Sequence, residues 1–117
     1  MRHLMAATVV MLLNVAVAYA ADPVGKYTVS GTNPGGNGQY SGTVSVTKTG
    51  ETYRVIWIVG GTQYVGTGIG DKNFLAVSYK SGNSSGLALY GATGGNWQGV
   101  WAFSGARQIG TENWNRE

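Results

Sequence analysis

Large aromatic side chains are the residues of this 117-residue chain best suited to binding chemistry. The sequence has four tryptophans, seven tyrosines and two phenylalanines, and such rings can stack on a sugar, enclose a small apolar ligand or anchor a protein partner. The same rings would also fill the core of a small barrel, so the sequence leaves a purely structural role open. The candidate binding aromatics are Tyr53, Trp57, Tyr90, Trp97, Trp101 and Trp114.

One carboxylate has an unusual position for an acid. Glu112 lies two residues after Gly110 and two before Trp114, so in a strand it shares a face with both. If that face points inward, the carboxylate needs a partner, because an isolated buried charge is costly. Arg54, on the strand face opposite Trp57, is the candidate partner. A Glu112–Arg54 pair would be structural or, alternatively, would anchor a ligand.

The titratable residues favour a protein that is not an enzyme. The chain has no cysteine, and its single histidine is His3, which excludes a thiol nucleophile, a disulfide and a cysteine-ligated metal. Beyond the N-terminal segment that carries His3, the serines have no histidine to activate them. The Gly-x-Ser-x-Gly match at residues 82–86 lies in a polar segment between two predicted strands, without the strand-to-helix turn that a nucleophile elbow needs. The other carboxylates lie in turns or near the ends of the mature chain, so no pair is placed for glycoside hydrolysis. We therefore predict no catalytic residue, no cofactor and no metal.

Charge is low and scattered along the chain. Charged residues make up 11% of the sequence, and the formal net charge is +3. Because there is no basic run, the sequence does not suggest a nucleic-acid partner. The partner we expect is an extracellular protein or a small ligand.

The N-terminus has the pattern of a secretory signal peptide. Arg2 and His3 precede an apolar run over residues 4–18, and Ala18-Tyr19-Ala20 places small residues where a signal peptidase reads them. The alternative is a membrane anchor, but the run is shorter than the ~20 residues of a span. We predict a signal peptide at residues 1–20, cleavage after Ala20, and a mature domain at residues 21–117 without a membrane span. The expected location is the periplasm or the cell exterior.

Short strands must position these side chains, because the mature sequence alternates with period two between glycine- and asparagine-rich turns. Tight turns between successive strands favour a meander, and closing the sheet removes exposed edges, which are a hazard for a secreted protein. We therefore predict an all-β fold, an eight-stranded antiparallel up-and-down barrel, with a β-sandwich as the alternative. The predicted strands are residues 26–31, 39–47, 52–59, 63–69, 74–79, 87–90, 97–103 and 110–115, with a polar loop at 81–86.

Four glycines fall inside these strands, where glycine normally weakens a sheet. We expect them to permit the bends of a small barrel and to lie beneath neighbouring aromatic rings. The alternative is that a ligand approaches the bare backbone there. The four positions are Gly42, Gly66, Gly68 and Gly99.

Taken together, the strand motifs resemble a family of small secreted proteins of Gram-negative bacteria, many of which carry the label fibronectin-binding protein. The resemblance spans nearly all of the mature chain and implies a surface-interaction function, with no catalytic residues to carry over. The Trp-x-Gly-x-Trp and Gly-Thr-Gly strands also look like those of avidin-like and lipocalin-like barrels, which is a likeness of fold. The motifs are YTVSGTNPGG (27–36), YSGTV (40–44), YRVIW (53–57), GTGIG (66–70), LAVSY (75–79), GLALY (86–90), WQGVW (97–101) and GTE (110–112).

Three functions remain open from the sequence: a surface-interaction module, a calyx that binds a small apolar or sugar ligand among its rings, and a structural envelope protein. The interior volume separates the first two. Because ligand pockets typically measure about 300–1,000 Å³, a cavity below ~100 Å³ would rule out the calyx. A surface module needs an outer apolar patch of several hundred Å², so an exterior evenly covered with polar side chains would count against it.

Overall fold

The computed structural model describes residues 22–117, so the predicted signal peptide lies outside the described residues. The described chain forms eight strands and a single turn of 3-10 helix at Pro34–Gly36. The predicted all-β fold is confirmed. The strands are β1 (Gly25–Thr32), β2 (Gln39–Thr49), β3 (Thr52–Val59), β4 (Thr62–Gly70), β5 (Phe74–Ser81), β6 (Ser84–Thr93), β7 (Asn96–Phe103) and β8 (Gly110–Arg116).

The strands form a closed antiparallel barrel in which each pairs with the next along the chain. Closure is made between β1 and β8, where Thr28 lies opposite Asn115 and Gly31 lies opposite Glu112. None of the eight described strands is therefore left with an unpaired edge, as the up-and-down prediction required.

The predicted strand positions agree with the structure, but one predicted loop is wrong. Residues 81–86 were expected to form a polar loop, whereas β5 continues to Ser81 and β6 begins at Ser84. Gly82, with φ of +57°, allows the chain to reverse within two residues. The hydroxyl-rich residues after it pair across the hairpin, with Ser81 opposite Ser84.

The inward-facing residues of every strand form one aromatic-rich core. Strand alternation buries Trp57, Trp97 and Trp114 together with several tyrosines. Tyr90 packs on Trp114 with ring centroids 4.3 Å apart, and Trp57 meets Trp114 edge-on at 6.1 Å. The remaining buried core residues are Tyr27, Val29, Val44, Val46, Tyr53, Val55, Leu75, Val77, Tyr79, Ala88 and Tyr90.

One end of the barrel is closed by the segments next to its two termini. The Arg116 guanidinium lies over the Tyr27 ring at 4.7 Å and donates hydrogen bonds to the carbonyls of Val24, Asp22 and Gly95. The Tyr27 hydroxyl donates to the carbonyl of Pro23 at 2.6 Å. These contacts hold the segment before β1 over this end of the barrel. The cup described below lies at the opposite end.

The glycines inside the strands leave space for neighbouring side chains. A Cβ atom on Gly66 would lie 2.6 Å from Cγ1 of Val77 and 3.1 Å from the Trp57 ring, and one on Gly99 would collide with the Tyr90 ring. The expectation that aromatic rings cover these glycines is confirmed at these two positions. At Gly42 and Gly68 the close side chains are aliphatic, and they belong to Val59, Leu75 and Val77.

The outer surface is divided into a polar side and an apolar side. Strands β8, β1 and β2 present polar side chains such as Asn113, Thr28 and Ser41. On the other side, the register aligns Ile69, Ala76, Leu89 and Val100 in one row across β4 to β7. We call this row, together with Leu87, the outer apolar face; the exposed fractions of Leu87 and Ile69 are 62% and 60%. Within residues 22–117, no helix is long and apolar enough to cross a membrane.

Candidate functional site

A cup of about 90 Å³ occupies the open end of the barrel. Its mouth lies beside the β1–β2, β3–β4, β5–β6 and β7–β8 connections, and its floor is Glu112 with the rings around it. Seven of the eight strands contribute, because each turns its alternate residues inward. The lining residues are Asn33, Tyr40, Trp57, Val59, Tyr64, Tyr79, Tyr90, Trp101, Phe103 and Glu112.

Two glycines place tyrosines on either side of Glu112. In the sheet register Glu112 lies between Gly99 of β7 and Gly31 of β1. Beyond these glycines, Tyr90 lies opposite Gly99 and Tyr40 lies opposite Gly31. A Cβ on either glycine would collide with the tyrosine ring. The glycines therefore allow each tyrosine to cross one strand and reach the carboxylate.

Four side chains donate hydrogen bonds to the Glu112 carboxylate. Oε1 accepts from the Tyr90 hydroxyl at 2.7 Å, from Trp114 Nε1 at 2.7 Å and from Trp57 Nε1 at 2.9 Å. Oε2 accepts from the Tyr40 hydroxyl at 2.6 Å. An indole N–H can only donate, so Oε1 acts purely as an acceptor, and because the Tyr40 hydroxyl also donates to Oε2, all four hydrogen bonds suit a carboxylate rather than a carboxylic acid.

The charge of Glu112 is held inside the barrel without a basic partner. Glu112 is 6% exposed, and each of its four partners in the described chain is a neutral donor. Neutral donors offset part of the cost of desolvating the carboxylate, but they leave its net charge uncancelled. The cup therefore has a negative floor and aromatic walls.

Three tyrosines around the cup, Tyr40, Tyr79 and Tyr90, have a raised pKa and remain neutral at physiological pH. Burial and then the Glu112 charge raise the pKa of Tyr40 and of Tyr90 well above the usual value near 10. The same two causes raise the pKa of Tyr79 to about 12. The phenol groups of Tyr40 and Tyr90 can therefore act as donors to Glu112, and they add no negative charge.

The predicted Glu112–Arg54 pair is wrong. Arg54 is exposed on the outer side of β3, opposite Thr47 and Thr67, whereas Glu112 faces inward from β8. Strand alternation places the two side chains on opposite sides of the sheet. Glu112 shares its strand face with Gly110 and Trp114, as expected, and the structure shows that this face points inward.

The structure brings most of the other candidate residues together. Trp57, Tyr90 and Trp101 line the cup, and Trp114 bonds to its floor. Tyr53 and Trp97 are buried outside the cup lining, so they serve the core. Sequence reasoning missed six lining residues, although Tyr40 had a signal in its position on the same strand face as Gly42 and Val44. The missed residues are Asn33, Tyr40, Val59, Tyr64, Tyr79 and Phe103.

The fold and site define a small closed β-barrel with an aromatic cup around a buried carboxylate. No known family model matches the chain, and no curated protein matches it either. The resemblance to secreted bacterial proteins therefore stays a prediction. Among residues 22–117, no group of three or more histidine, cysteine or acidic side chains is arranged to hold a metal ion.

Proposed function

We propose that this protein is a secreted, non-enzymatic binding protein whose cup receives one small chemical group of its ligand. The supporting observation is the buried carboxylate of Glu112 at the floor of a cup with aromatic walls. Three of the four groups that hold this carboxylate converge on Oε1. Such saturation suits a fixed binding group better than a general base, which must accept a proton during turnover.

The size of the cup limits what it can enclose. Its volume of about 90 Å³ is well below the roughly 300–1,000 Å³ of typical ligand pockets. Because this volume is below the ~100 Å³ threshold, a calyx that encloses a whole ligand of ordinary size is ruled out. The proposal is therefore narrower: a few atoms enter the cup, either as a very small molecule or as the end of a larger one.

Tryptophan fluorescence provides the test, because Trp57 and Trp101 line the cup. The protein is titrated with tetramethylammonium, acetate, tert-butanol and methyl glucoside. We expect at least one probe to give a saturable change that Phe103→Ala weakens and Phe74→Ala does not. Phe103 lies at the cup and is 38% exposed, whereas Phe74 lies on the outer surface and is 46% exposed, so the two variants form a matched pair. No saturable response, or an equal effect of both variants, would contradict the proposal.

A second candidate function is a surface-interaction module that binds an extracellular protein through the outer apolar face. It is supported by the uneven exterior, since exposed Leu87 and Leu89 stand together on β6. The family resemblance suggests fibronectin as the first partner to test. Binding to immobilised fibronectin that is lost in Leu87→Ser/Leu89→Ser, and kept in Phe103→Ala, would support this candidate. The opposite pattern would assign the interaction to the cup, and no binding would contradict both routes to fibronectin.

A further inference from the structure

We propose that the group received by the cup is a small organic cation, an ammonium or methylated ammonium group, with Glu112 as its counter-charge. This proposal rests on the proposed function and specifies its ligand class. The charge is the first reason. A cation in the cup would face a buried carboxylate whose other partners are all neutral, whereas an anion would be repelled and a neutral group would leave the charge uncancelled.

The carboxylate also has room for another partner. A carboxylate offers about four acceptor positions over its two oxygens. Oε1 already accepts three hydrogen bonds, but Oε2 accepts only the one from Tyr40. The N–H of a primary, secondary or tertiary ammonium group can therefore bond to Oε2 while the four existing donors stay in place. A quaternary ammonium group has no N–H and is attracted to the carboxylate by charge alone.

The walls of the cup suit a cation as well. Tyr64 and Tyr79 meet at 78° with centroids 6.2 Å apart, and Tyr40 and Trp101 meet at 71° with centroids 6.1 Å apart. All four rings line the cup, and the negative face of an aromatic ring attracts a cation within about 6 Å of its centre. Sites lined by aromatic rings recognise quaternary ammonium groups.

The volume selects a small cation. A single water needs at least about 10–15 Å³ of such a cavity volume, so about 90 Å³ admits a group of several non-hydrogen atoms. An ammonium or methylated ammonium group fits this space, whereas a ligand that fills a typical pocket of about 300–1,000 Å³ does not. The cation can be free in solution or be the end of a lysine side chain.

The decisive experiment compares two probes that have the same shape and differ in charge. Choline and its neutral isostere 3,3-dimethyl-1-butanol are titrated against the protein at constant ionic strength, with tryptophan fluorescence as the readout. We expect choline to bind at least tenfold more tightly. Glu112→Gln should reduce this preference to about onefold. Glu51→Gln, which removes an exposed carboxylate in the β2–β3 turn, should leave it unchanged.

A second variant keeps the proposal testable if Glu112→Gln does not fold. Tyr64 is only half-buried at the mouth of the cup, so Tyr64→Leu removes a ring face with little risk to the core. We expect it to weaken choline binding about threefold or more, because the bound cation loses a cation–π contact. A peptide with a trimethylated lysine distinguishes the sources: tighter binding than choline assigns the cation to a larger partner, and weaker binding assigns it to a free molecule.

The outcomes separate this inference from the proposed function. Equal binding of choline and the neutral isostere would overturn the inference, because the Glu112 charge would then have no part in recognition, while the cup would still be a binding site. Saturable binding of a neutral or anionic probe alone would do the same. If no probe binds, both the inference and the cup function fail.

Discussion

Gly99→Ala is the substitution that most directly tests how the cup is built. The new Cβ would lie 2.5 Å from the Leu89 carbonyl oxygen and 2.8 Å from Cε1 of Tyr90. Both distances are far shorter than the ~3.5–4.0 Å of a favourable contact. The Tyr90 ring must therefore move, and its hydroxyl must leave Oε1 of Glu112, to which it now donates at 2.7 Å.

The expected loss of stability has two parts. Overpacking in a close-packed interior costs about 1–3 kcal/mol. Weakening a hydrogen bond to a charged group costs about 1.5–3 kcal/mol more. Alanine also lowers the conformational entropy of the unfolded chain, which favours folding by about 0.4–1 kcal/mol. We expect a net decrease of about 2–5 kcal/mol in the free energy of unfolding, which is a large share of the ~5–15 kcal/mol of a typical domain.

Urea denaturation followed by tryptophan fluorescence measures this change, and Gly91→Ala is the matched control. Gly91 lies on the outer side of β6, where an added Cβ meets no described atom within 4 Å. We expect this variant to be neutral or up to ~1 kcal/mol more stable. In a Tyr90→Leu background the effect of Gly99→Ala should shrink by about 1–2 kcal/mol, because the obstructing ring is gone. Equal stabilities of Gly99→Ala and Gly91→Ala would refute the proposed role of Gly99.

Three further predictions follow from the same contacts. Tyr90→Phe should lower the free energy of unfolding by about 1.5–3 kcal/mol, because Glu112 loses a hydrogen-bond donor. Tyr64→Phe should change this free energy by less than ~0.5 kcal/mol, because the Tyr64 hydroxyl has no hydrogen bond among the described residues. Equal effects of the two variants in urea denaturation would contradict this prediction. The free energy of unfolding should fall as pH rises from about 10 to about 12, because the pKa of Tyr79 is about 12 in the folded protein and near 10 in the unfolded chain. The unfolded chain therefore loses this proton first, which favours unfolding. A constant urea midpoint across this pH range would contradict the prediction. Mass spectrometry of the exported protein should give an N-terminus at Ala21, and a retained N-terminus would contradict the signal peptide.

The barrel could be predicted because the sequence patterns that specify its strands and turns are local. Alternation of apolar and polar residues within each strand, with glycine at the turns, is readable over five to ten residues and requires no knowledge of partners. The prediction missed the start of β6, where Ser84 and Ser85 resemble loop residues by composition. Their backbones pair with β5 all the same, because closing a two-residue hairpin at Gly82 outweighs the weak strand preference of serine.

The cup could be predicted only in part, as the case of Glu112 shows. The spacing placed Glu112 on one strand face with Gly110 and Trp114. If that face pointed inward, the cost of burying charge required a partner for the carboxylate. Its true partners did not follow, because Trp57 and Tyr90 reach it from other strands. Arg54 was the candidate partner because its charge is opposite to that of Glu112. Strand alternation, however, places the Arg54 side chain on the outer side of the barrel.

The sequence by itself determined which residues of each strand share a face and that the strands would form a meander, since both depend on local period and turn chemistry. Only the tertiary structure decided which of the two faces points inward and that Tyr40 and Tyr90 would meet at one carboxylate. The meeting of these tyrosines requires the pairing of β8 with β1, which joins the first and last strands of the barrel. The physical reason is register: Gly31 and Gly99 flank Glu112 only after the sheet closes, and strand spacing then sets the reach of both hydroxyls.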